Sequence, residues 1–378
     1  MIDKPCLKVF SASWPGTVEP WRARFIRDFH EELSSRFETE ILAPAIHPKD
    51  SVEEQDGPLS IRRFRYFSGG KSPRSGGAGT LASMSWVLSA RRSLKKWSRS
   101  DSKNVILVHW AVPGALLVSS WAKKHGIPVV VWCHGSDVHV HGRKRIGSWF
   151  LKKGLQEAAK VLAVSADMAQ ELEDRHQISG VEVLPVGIDP LFREPGTISR
   201  KNTGLQVLYV GERIESKGYG RALRAVQSAV ENGLDVRFHV IGEGPMTGCG
   251  SYEPILYGAK DLKEVRRAMD SADLLLLPSH GEGTPLVVQE AIARQLPVAA
   301  TPVGGIPDLF SDESGWFNLS EAGDVAIEKQ LTSLLSELTD RPELLVQKRE
   351  DLRPEGQKVI FREDSAHRMA QILCEVMT

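Results

Sequence analysis

Short apolar runs alternate along this chain with stretches in which apolar residues recur every three or four positions. LKVFSA, ETEILAPA, NVILVHWA, PVVVWCHG, VLAVS and VEVLPVG read as the strands of a first series, and LQVLYVG, VRFHVIGEG, EPILYG, DLLLLPS and PVAATP as those of a second. Strands that alternate with helical stretches predict parallel sheets covered by helices, so the fold class is α/β with two doubly wound units in succession. The rhythm breaks at DPLFREPGTISRKNTG, residues 189–204, which is rich in Pro, Gly and polar residues. That seam assigns residues 1–190 to one domain and 191–360 to another. It leaves 361–378, FREDSAHRMAQILCEVMT, as a closing helix with Asp364 or Ser365 as its N-cap and Met369, Ile372, Leu373 and Val376 at helical spacing. A length of 378 residues fits two domains at the usual ~100–200 residues each.

One run needs a membrane test. Val105 to Ala122 carries no formal charge, but His109, Pro113, Gly114 and two serines break it into a buried strand, a turn and a helix start. The first residues hold an acid at Asp3 and only a brief apolar run, unlike a secretory signal. Cys6, Cys133, Cys249 and Cys374 are scattered with no CxxC pair, which predicts reduced thiols in a cytosolic protein and no zinc site.

Composition is that of an ordinary globular protein, and the net charge is zero. Its distribution is uneven: residues 1–190 hold 27 Lys and Arg against 20 Asp and Glu. Between Gly57 and Ser100 stand Arg62, Arg63, Arg65, Lys71, Arg74, Arg91, Arg92, Lys95, Lys96 and Arg99 without one acidic residue. RRFRYF and ARRSLKKWSRS mix these charges with aromatic residues, so residues 62–99 are either a solvated basic face or a segment meeting an anionic membrane or acceptor. No nucleic-acid-binding motif accompanies the patch, and no nucleic acid partner is expected.

The most informative stretch is HGEGTPLVVQE, residues 280–290, in which two glutamates flank a Gly-Thr-Pro turn after an apolar strand. Pro285 suits a first helical turn and Thr284 its cap, so PLVVQEAIAR predicts a helix. The backbone N–H groups of Gly283, Thr284 and Leu286 around Pro285, together with the helix dipole, would suit a phosphate or diphosphate. Glu290 then lies about 7.5 Å along the axis from Pro285. Two carboxylates beside an anion make sense if each accepts hydrogen bonds from hydroxyls, the pattern of a sugar joined through diphosphate to a nucleoside. A capping Glu282 and a solvent-facing Glu290 are the plainer alternative.

HGEGTPLVVQEAIARQLPVAATPVGGIPDLF resembles the E-x7-E region of the family 4 glycosyltransferases, retaining enzymes of the GT-B fold. LYVGERIESKG at 208–218, VIGEGP at 240–245, ILYG at 255–258 and VGID at 186–189 resemble further family segments in the same order. The resemblance implies two Rossmann-like domains facing across a cleft, the first binding acceptor and the second the nucleotide-sugar donor, with the C-terminal helix crossing back to the first. It implies a loop glutamate, Glu282, on the donor sugar and a helix glutamate, Glu290, on the ribose. Lys217 matches the lysine that grips the diphosphate. The family arginine is displaced, because Glu212 stands in its place and Arg213 follows. Tyr257 and Gly258 match the segment that holds the base through its backbone. In the first half, SASWPGTVEPW aligns only in outline, with Gly16 where the backbone approaches the donor phosphates. WCHGSDVHVHG resembles the HGxD-type segment, making His134 the histidine over the donor sugar, with Asp137 on the acceptor or orienting the loop. His109 is nominated beside it on the acceptor side, although core packing also explains a histidine at a strand end. His139 and His141 read as surface residues.

The activity implied is transfer of a hexose from a UDP- or GDP-sugar to an acceptor hydroxyl with retention, in bacterial polysaccharide or glycolipid assembly. No metal or other cofactor is implied, and no D-x-D triplet occurs. The expected partners are a nucleotide sugar and a glycan or lipid-linked acceptor, in the cytoplasm or at the inner face of the membrane. A non-catalytic nucleotide-sugar-binding regulator remains an alternative. So does a Rossmann oxidoreductase, although FSASWPG stands where its G-x-G-x-x-G fingerprint would be.

Overall fold

The computed structural model describes residues 4–69, 79–97, 104–194, 203–245, 252–310 and 315–378. Lys71, Arg74, Arg99, Cys249 and the middle of the 189–204 seam lie outside the described residues. Two compact units emerge, Met1–Val186 with Arg362–Thr378, and Gly187–Phe361.

The first unit is built on an eight-stranded sheet in the order β3-β4-β2-β1-β5-β6-β7-β8. Its strands are β1 (Cys6–Ser11), β2 (Glu38–Ala45), β3 (Glu53–Asp56), β4 (Leu59–Arg65), β5 (Asn104–His109), β6 (Val129–Cys133), β7 (Lys160–Ala163) and β8 (Glu182–Val183). Every pairing is parallel except β3 with β4. The crossovers are α1 (Arg24–Leu33), α2 (Thr80–Leu94), α3 (Ala111–Lys123), α4 (Arg145–Gln156) and α5 (Ala166–His176). β1, β5 and β6 are buried along their whole length apart from Asn104, which is why they read as unbroken apolar runs rather than alternating ones. Val105 to Ala122 accordingly divides between β5 and α3, and no helix among the described residues is long and apolar enough to cross a membrane.

The basic run breaks the expectation of one charged face. β4 alternates, with Leu59, Ile61 and Arg63 on the inner side. Arg63 is 4% exposed and donates to Glu54 and to the Ser51 and Pro15 carbonyls, while Arg62 pairs with Glu53 and Arg65 donates to the Pro48 and Asp50 carbonyls. Acidic β3 precedes Gly57 in the chain, and the hairpin brings it alongside β4. Arg62 and Arg65 stay exposed, as do Arg91, Arg92, Lys95 and Lys96.

The second unit holds a six-stranded, all-parallel sheet in the order β11-β10-β9-β12-β13-β14. Its strands are β9 (Leu205–Val210), β10 (Val236–Ile241), β11 (Ile255–Leu256), β12 (Leu274–Leu277), β13 (Val298–Ala300) and β14 (Phe317–Asn318). The helices are α6 (Tyr219–Glu231), α7 (Leu262–Ser271), α8 (Leu286–Ala293), α9 (Asp324–Asp340) and α10 (Glu343–Gly356). One face of the sheet packs Val207, Tyr209, Phe238 and Leu276 against Tyr219, Leu223 and Leu331, and the other packs Leu208, Leu275 and Leu277 against Val265, Val288 and Ile292. A sheet covered on both faces is the doubly wound arrangement that the alternating pattern predicts.

The last helix, α11 (Arg362–Met377), belongs to the first unit and packs on α1. Its first residue is Arg362, so Asp364 and Ser365 lie inside its first turns and not at its N-cap. Ser365 Oγ instead donates to the Pro185 carbonyl.

Candidate functional site

In open parallel sheets, ligands gather beyond the carboxyl ends of the strands at the point where strand order reverses. In the second unit that point lies between β9 and β12, because the chain runs from β9 outward through β10 and β11 and returns at β12. The loop after β9 carries Arg213 and Lys217, and the loop after β12 carries Ser279 and Glu282. Lys217 Nζ donates to Glu282 Oε2 at 2.7 Å, and Ser279 Oγ donates to Glu282 Oε1 at 2.7 Å. Glu282 is 8% exposed, so its charge is held at a buried position by one cation and one hydroxyl. Burial, then the Glu282 charge, raises the Tyr209 phenol well above its ordinary value, and its hydroxyl donates to the Glu212 carbonyl.

Two glycines let these loops meet. Gly218 has φ +68°, and a Cβ there would stand 1.9 Å from the Pro278 carbonyl oxygen. Gly304 has φ +56°, and its Cβ would stand 1.9 Å from the Glu282 carbonyl oxygen. Only glycine provides both the left-handed backbone and the missing side chain.

Helix α8 starts one residue later than its pattern predicts. Pro285 is the N-cap with ψ 124°, Leu286 is the first helical residue, and no side chain caps the end, so Thr284 is not the cap. The Gly283 carbonyl accepts from Gly305 N at 2.6 Å, which pins the turn. Glu290 in α8 is buried and not solvent-facing. Burial, with the Asp189 charge added, raises its carboxyl to about 8.

Arg213 does not join the Lys217–Glu282 pair. It is 7% exposed, its Nη2 donates to the Gly244 carbonyl at 2.9 Å, and its Nε is buried without a partner. Tyr257 N donates to Val240 O and Gly258 O accepts from Gly242 N, both at 2.9 Å. That narrows the backbone groups nominated for a base to the Tyr257 carbonyl and the Gly258 N–H. The Tyr257 ring stacks on His239 beside a cavity of about 440 Å³ that Lys260 and Arg267 also line.

In the first unit the strand order reverses between β1 and β5. His109 ends β5 and pairs in register with Ser11, while His134 follows β6. His109 is wholly buried, so it is not a surface group for an acceptor; its Nδ1 lies 2.8 Å from His134 Nε2. Phe25, Trp110 and Trp132 surround the His134 ring. Asp137 is 1% exposed, and its carboxylate accepts from the backbone N–H groups of His134, Gly135 and Ala111. Of the two roles offered for Asp137, loop orientation is the one its bonds allow. His139 is also more than a surface residue, since its Nδ1 lies 2.7 Å from Glu171, whose carboxyl is lowered to about 2 by Arg143, despite burial, with His139 adding to the effect. Gly16 sits against Asp50, whose Oδ1 accepts from Thr17 N at 3.0 Å.

Four participants escaped the sequence. Ser279, three residues before Glu282, sits in the quoted strand motif and was the most findable. Asp189 lies in VGID, where nothing local links it to Glu290. His30, whose Nε2 lies 2.7 Å from His109 Nε2, and Arg221, which ties Asp324 to the Pro278 carbonyl and His280, carry no local signal. Glu215, His280 and Asp324 place candidate metal-ligating atoms within 4.8 Å of one another, but the Arg221 guanidinium already pairs with Asp324, which makes the cluster an ion-pair network.

The chain matches the family model Glycosyltransferase Family 4 over residues 23–191 and that of Glycosyl transferases group 1 over residues 204–337. It is 33% identical over 221 residues to a putative teichuronic acid biosynthesis glycosyltransferase, TuaC, of Bacillus subtilis, a match covering 55% of each chain. It is 32% identical over 152 residues to a putative colanic acid biosynthesis glycosyltransferase, WcaL, of Escherichia coli, covering 36% of this chain and 37% of that one. The match therefore spans about half or less of either relative. Among solved structures, sucrose-phosphate synthase from Thermosynechococcus elongatus superposes with a TM-score of 0.70 at 16% identity, over 98% of this chain and 99% of that one, and shows the fold. With both halves matched in order and the GT-B architecture shared, the chain belongs to the family 4 glycosyltransferases.

Proposed function

We propose that the protein is a retaining, metal-independent glycosyltransferase that moves a hexose from a UDP- or GDP-sugar to an acceptor hydroxyl in the assembly of a bacterial envelope polysaccharide or glycolipid. The observation that carries this is the Lys217–Glu282–Ser279 arrangement at the strand-order reversal of the second unit, ahead of the α8 N-terminus. The putative roles of the two relatives in teichuronic and colanic acid biosynthesis support the polysaccharide setting.

In this reading the diphosphate lies at the α8 N-terminus, on the N–H groups of Gly283, Thr284 and Leu286 about Pro285, with Lys217 beside it. The C1–O bond to phosphate breaks and a C1–O bond to the acceptor forms on the same face. The acceptor proton passes to the leaving phosphate oxygen. Lys217 stabilises the charge that develops on the diphosphate, the task a metal performs elsewhere, so no cofactor is required. Glu282, held by Ser279, orients the donor sugar. Glu290 meets the ribose, and its raised carboxyl offers a donor as well as an acceptor near neutral pH. Arg213 shapes the loop through Gly244, and Tyr257 and Gly258 flank the base. In the first unit, Asp137 sets the His134 loop and His109 lies behind the His134 ring.

The proposed setting is cytoplasmic, with peripheral contact to an anionic membrane and no nucleic acid partner. Arg91, Arg92, Lys95 and Lys96 lie beside exposed Leu81, Met84 and Leu88, which share one face of α2. The test of function is a thermal-shift and hydrolysis screen against UDP-, GDP- and ADP-sugars, with and without EDTA, on wild type and Glu290→Ala. A nucleotide sugar that raises Tm despite EDTA and loses its effect in the variant supports the reading. Stabilisation by NAD or FAD alone would refute it, and binding without turnover would favour the regulator.

A further inference from the structure

Helix α4 shows solvent a face that the site does not use. Ile146 is 76% exposed and Trp149 55%, Val140 is exposed just before the helix, and the half-buried Phe150 ring meets the Trp149 ring edge to face at 5.1 Å. Ile146, Trp149 and Lys153 fall on one side of the helix, at i, i+3 and i+7. The other side is fixed. Leu151 and Leu155 are buried, a Cβ on Gly154 would stand 2.7 Å from the Leu116 backbone nitrogen in α3, and one on Gly147 would stand 2.0 Å from the His141 carbonyl oxygen. Backbones packed this closely hold the helix against any rotation that would bury Trp149.

The charge around this face has one sign. From Val138 to Gln156 the chain holds Arg143, Lys144, Arg145, Lys152 and Lys153 and no Asp or Glu. At the borders, Glu157 pairs with Lys123 and Glu171 with Arg143. Lys144, Arg145 and Lys153 are exposed and have no acidic partner among the described residues. A second copy meeting this face across a two-fold axis would set the same cations against one another. Protein interfaces are depleted in lysine, and Lys144, Lys152 and Lys153 flank this one. Lys and Arg around Trp and Ile on a surface helix are instead the composition of a helix lying in a lipid interface, where the ring sits at headgroup depth and the cations meet anionic headgroups.

We propose that α4 is a docking face for an anionic lipid bilayer, with Ile146 and Trp149 entering the headgroup layer and Lys144, Arg145 and Lys153 on the lipid phosphates. It adds a second contact to the one proposed for α2. The crossovers from β4 to β5, β5 to β6 and β6 to β7 step the same way across the sheet, so α2, α3 and α4 share one side of the first unit, with α3 packed against the other two. Leu81 and Ile146 each stand second in their helix. Helices of a parallel sheet begin at the carboxyl ends of its strands, so both apolar faces lie toward the end where His134 follows β6. Two contacts fix the orientation of the unit on a bilayer, where one helix alone would leave it free to roll. That this orientation presents the site to a lipid-linked acceptor rests on the transferase reading above. The docking itself does not.

The test is sedimentation of the full chain with vesicles of phosphatidylglycerol and phosphatidylcholine in equal parts, and with vesicles of phosphatidylcholine alone. Wild type should bind the anionic vesicles only, and Ile146→Ser with Trp149→Ser should weaken that binding at least about tenfold with Tm and donor hydrolysis in solution unchanged. Brominated acyl chains in the same vesicles should quench the tryptophan emission, and Trp149→Phe, which still docks, should lose that quenching. No binding by wild type, equal binding by the Ile146 and Trp149 variant, equal binding to both vesicles, or quenching unmoved in Trp149→Phe each overturns the proposal. So does a dimer in sedimentation equilibrium that the same double variant abolishes, because the face would then meet a second copy. Wild type that docks without turning over any donor removes the transferase reading and supports the docking face.

Discussion

Glu290 provides the prediction with the largest effect. The residue is 8% exposed, and its carboxyl is raised from 4.5 to about 8, first by burial and then by the Asp189 charge. A raised carboxyl binds its proton more tightly in the folded chain than in the unfolded one. Its contribution is therefore fully present below the unfolded value and is lost as pH rises through the folded value. At about 1.36 kcal/mol per pH unit, the loss between about pH 5.5 and about pH 8 is on the order of 3 kcal/mol. Glu290→Gln keeps the shape and removes the titration, so it should be increasingly more stable than wild type as pH rises across that window. Urea unfolding of both full-length proteins at the two pH values measures the difference. Parallel pH–stability curves would refute the reasoning, because they would mean that Glu290 titrates alike in both states. Asp189→Asn should recover a smaller part of the gain, as the second of the two causes.

Further outcomes follow from the loops. Lys217→Ala should lower kcat/KM for the donor about 10²–10³-fold. Removing it also leaves the buried Glu282 carboxylate without its ion pair, at a stability cost of about 1–3 kcal/mol, so paired turnover and melting measurements separate the two effects. Gly218→Ala should cost about 2 kcal/mol of stability, seen as a lower urea midpoint, since its Cβ would displace the Pro278 carbonyl that leads into the Ser279–Glu282 loop. Replacing Arg91, Arg92, Lys95 and Lys96 by Ser should abolish sedimentation with anionic vesicles, and unchanged sedimentation would remove the membrane contact from the proposed function.

Much of the fold is local information. β1, β5, β6 and β12 are buried runs flanked by turn residues, and a buried parallel strand reads as such whatever its neighbours are. The two glutamates around GTP are likewise set by the chain itself, because a turn and the start of α8 fix their separation. The hairpin of β3 and β4 was less legible, since Arg63 on the inner face disguises an alternating strand as a basic segment.

What the sequence determined by itself is the α/β class and the two-unit organisation, because strand and helix periods and turn residues act over a few positions. Tertiary structure alone decided what the candidate site residues do to one another. Lys217 meets Glu282 across 65 positions because β9 and β12 are adjacent where the strand order reverses. Asp189 raises Glu290 because the fold brings the half-buried Asp189 near the buried Glu290. His30 and His109, 79 positions apart, reach the same row as His134 only when α1 lies across the ends of β5 and β6. Charge state depends on burial and on the partner at hydrogen-bond distance, and neither exists until the sheet order is set.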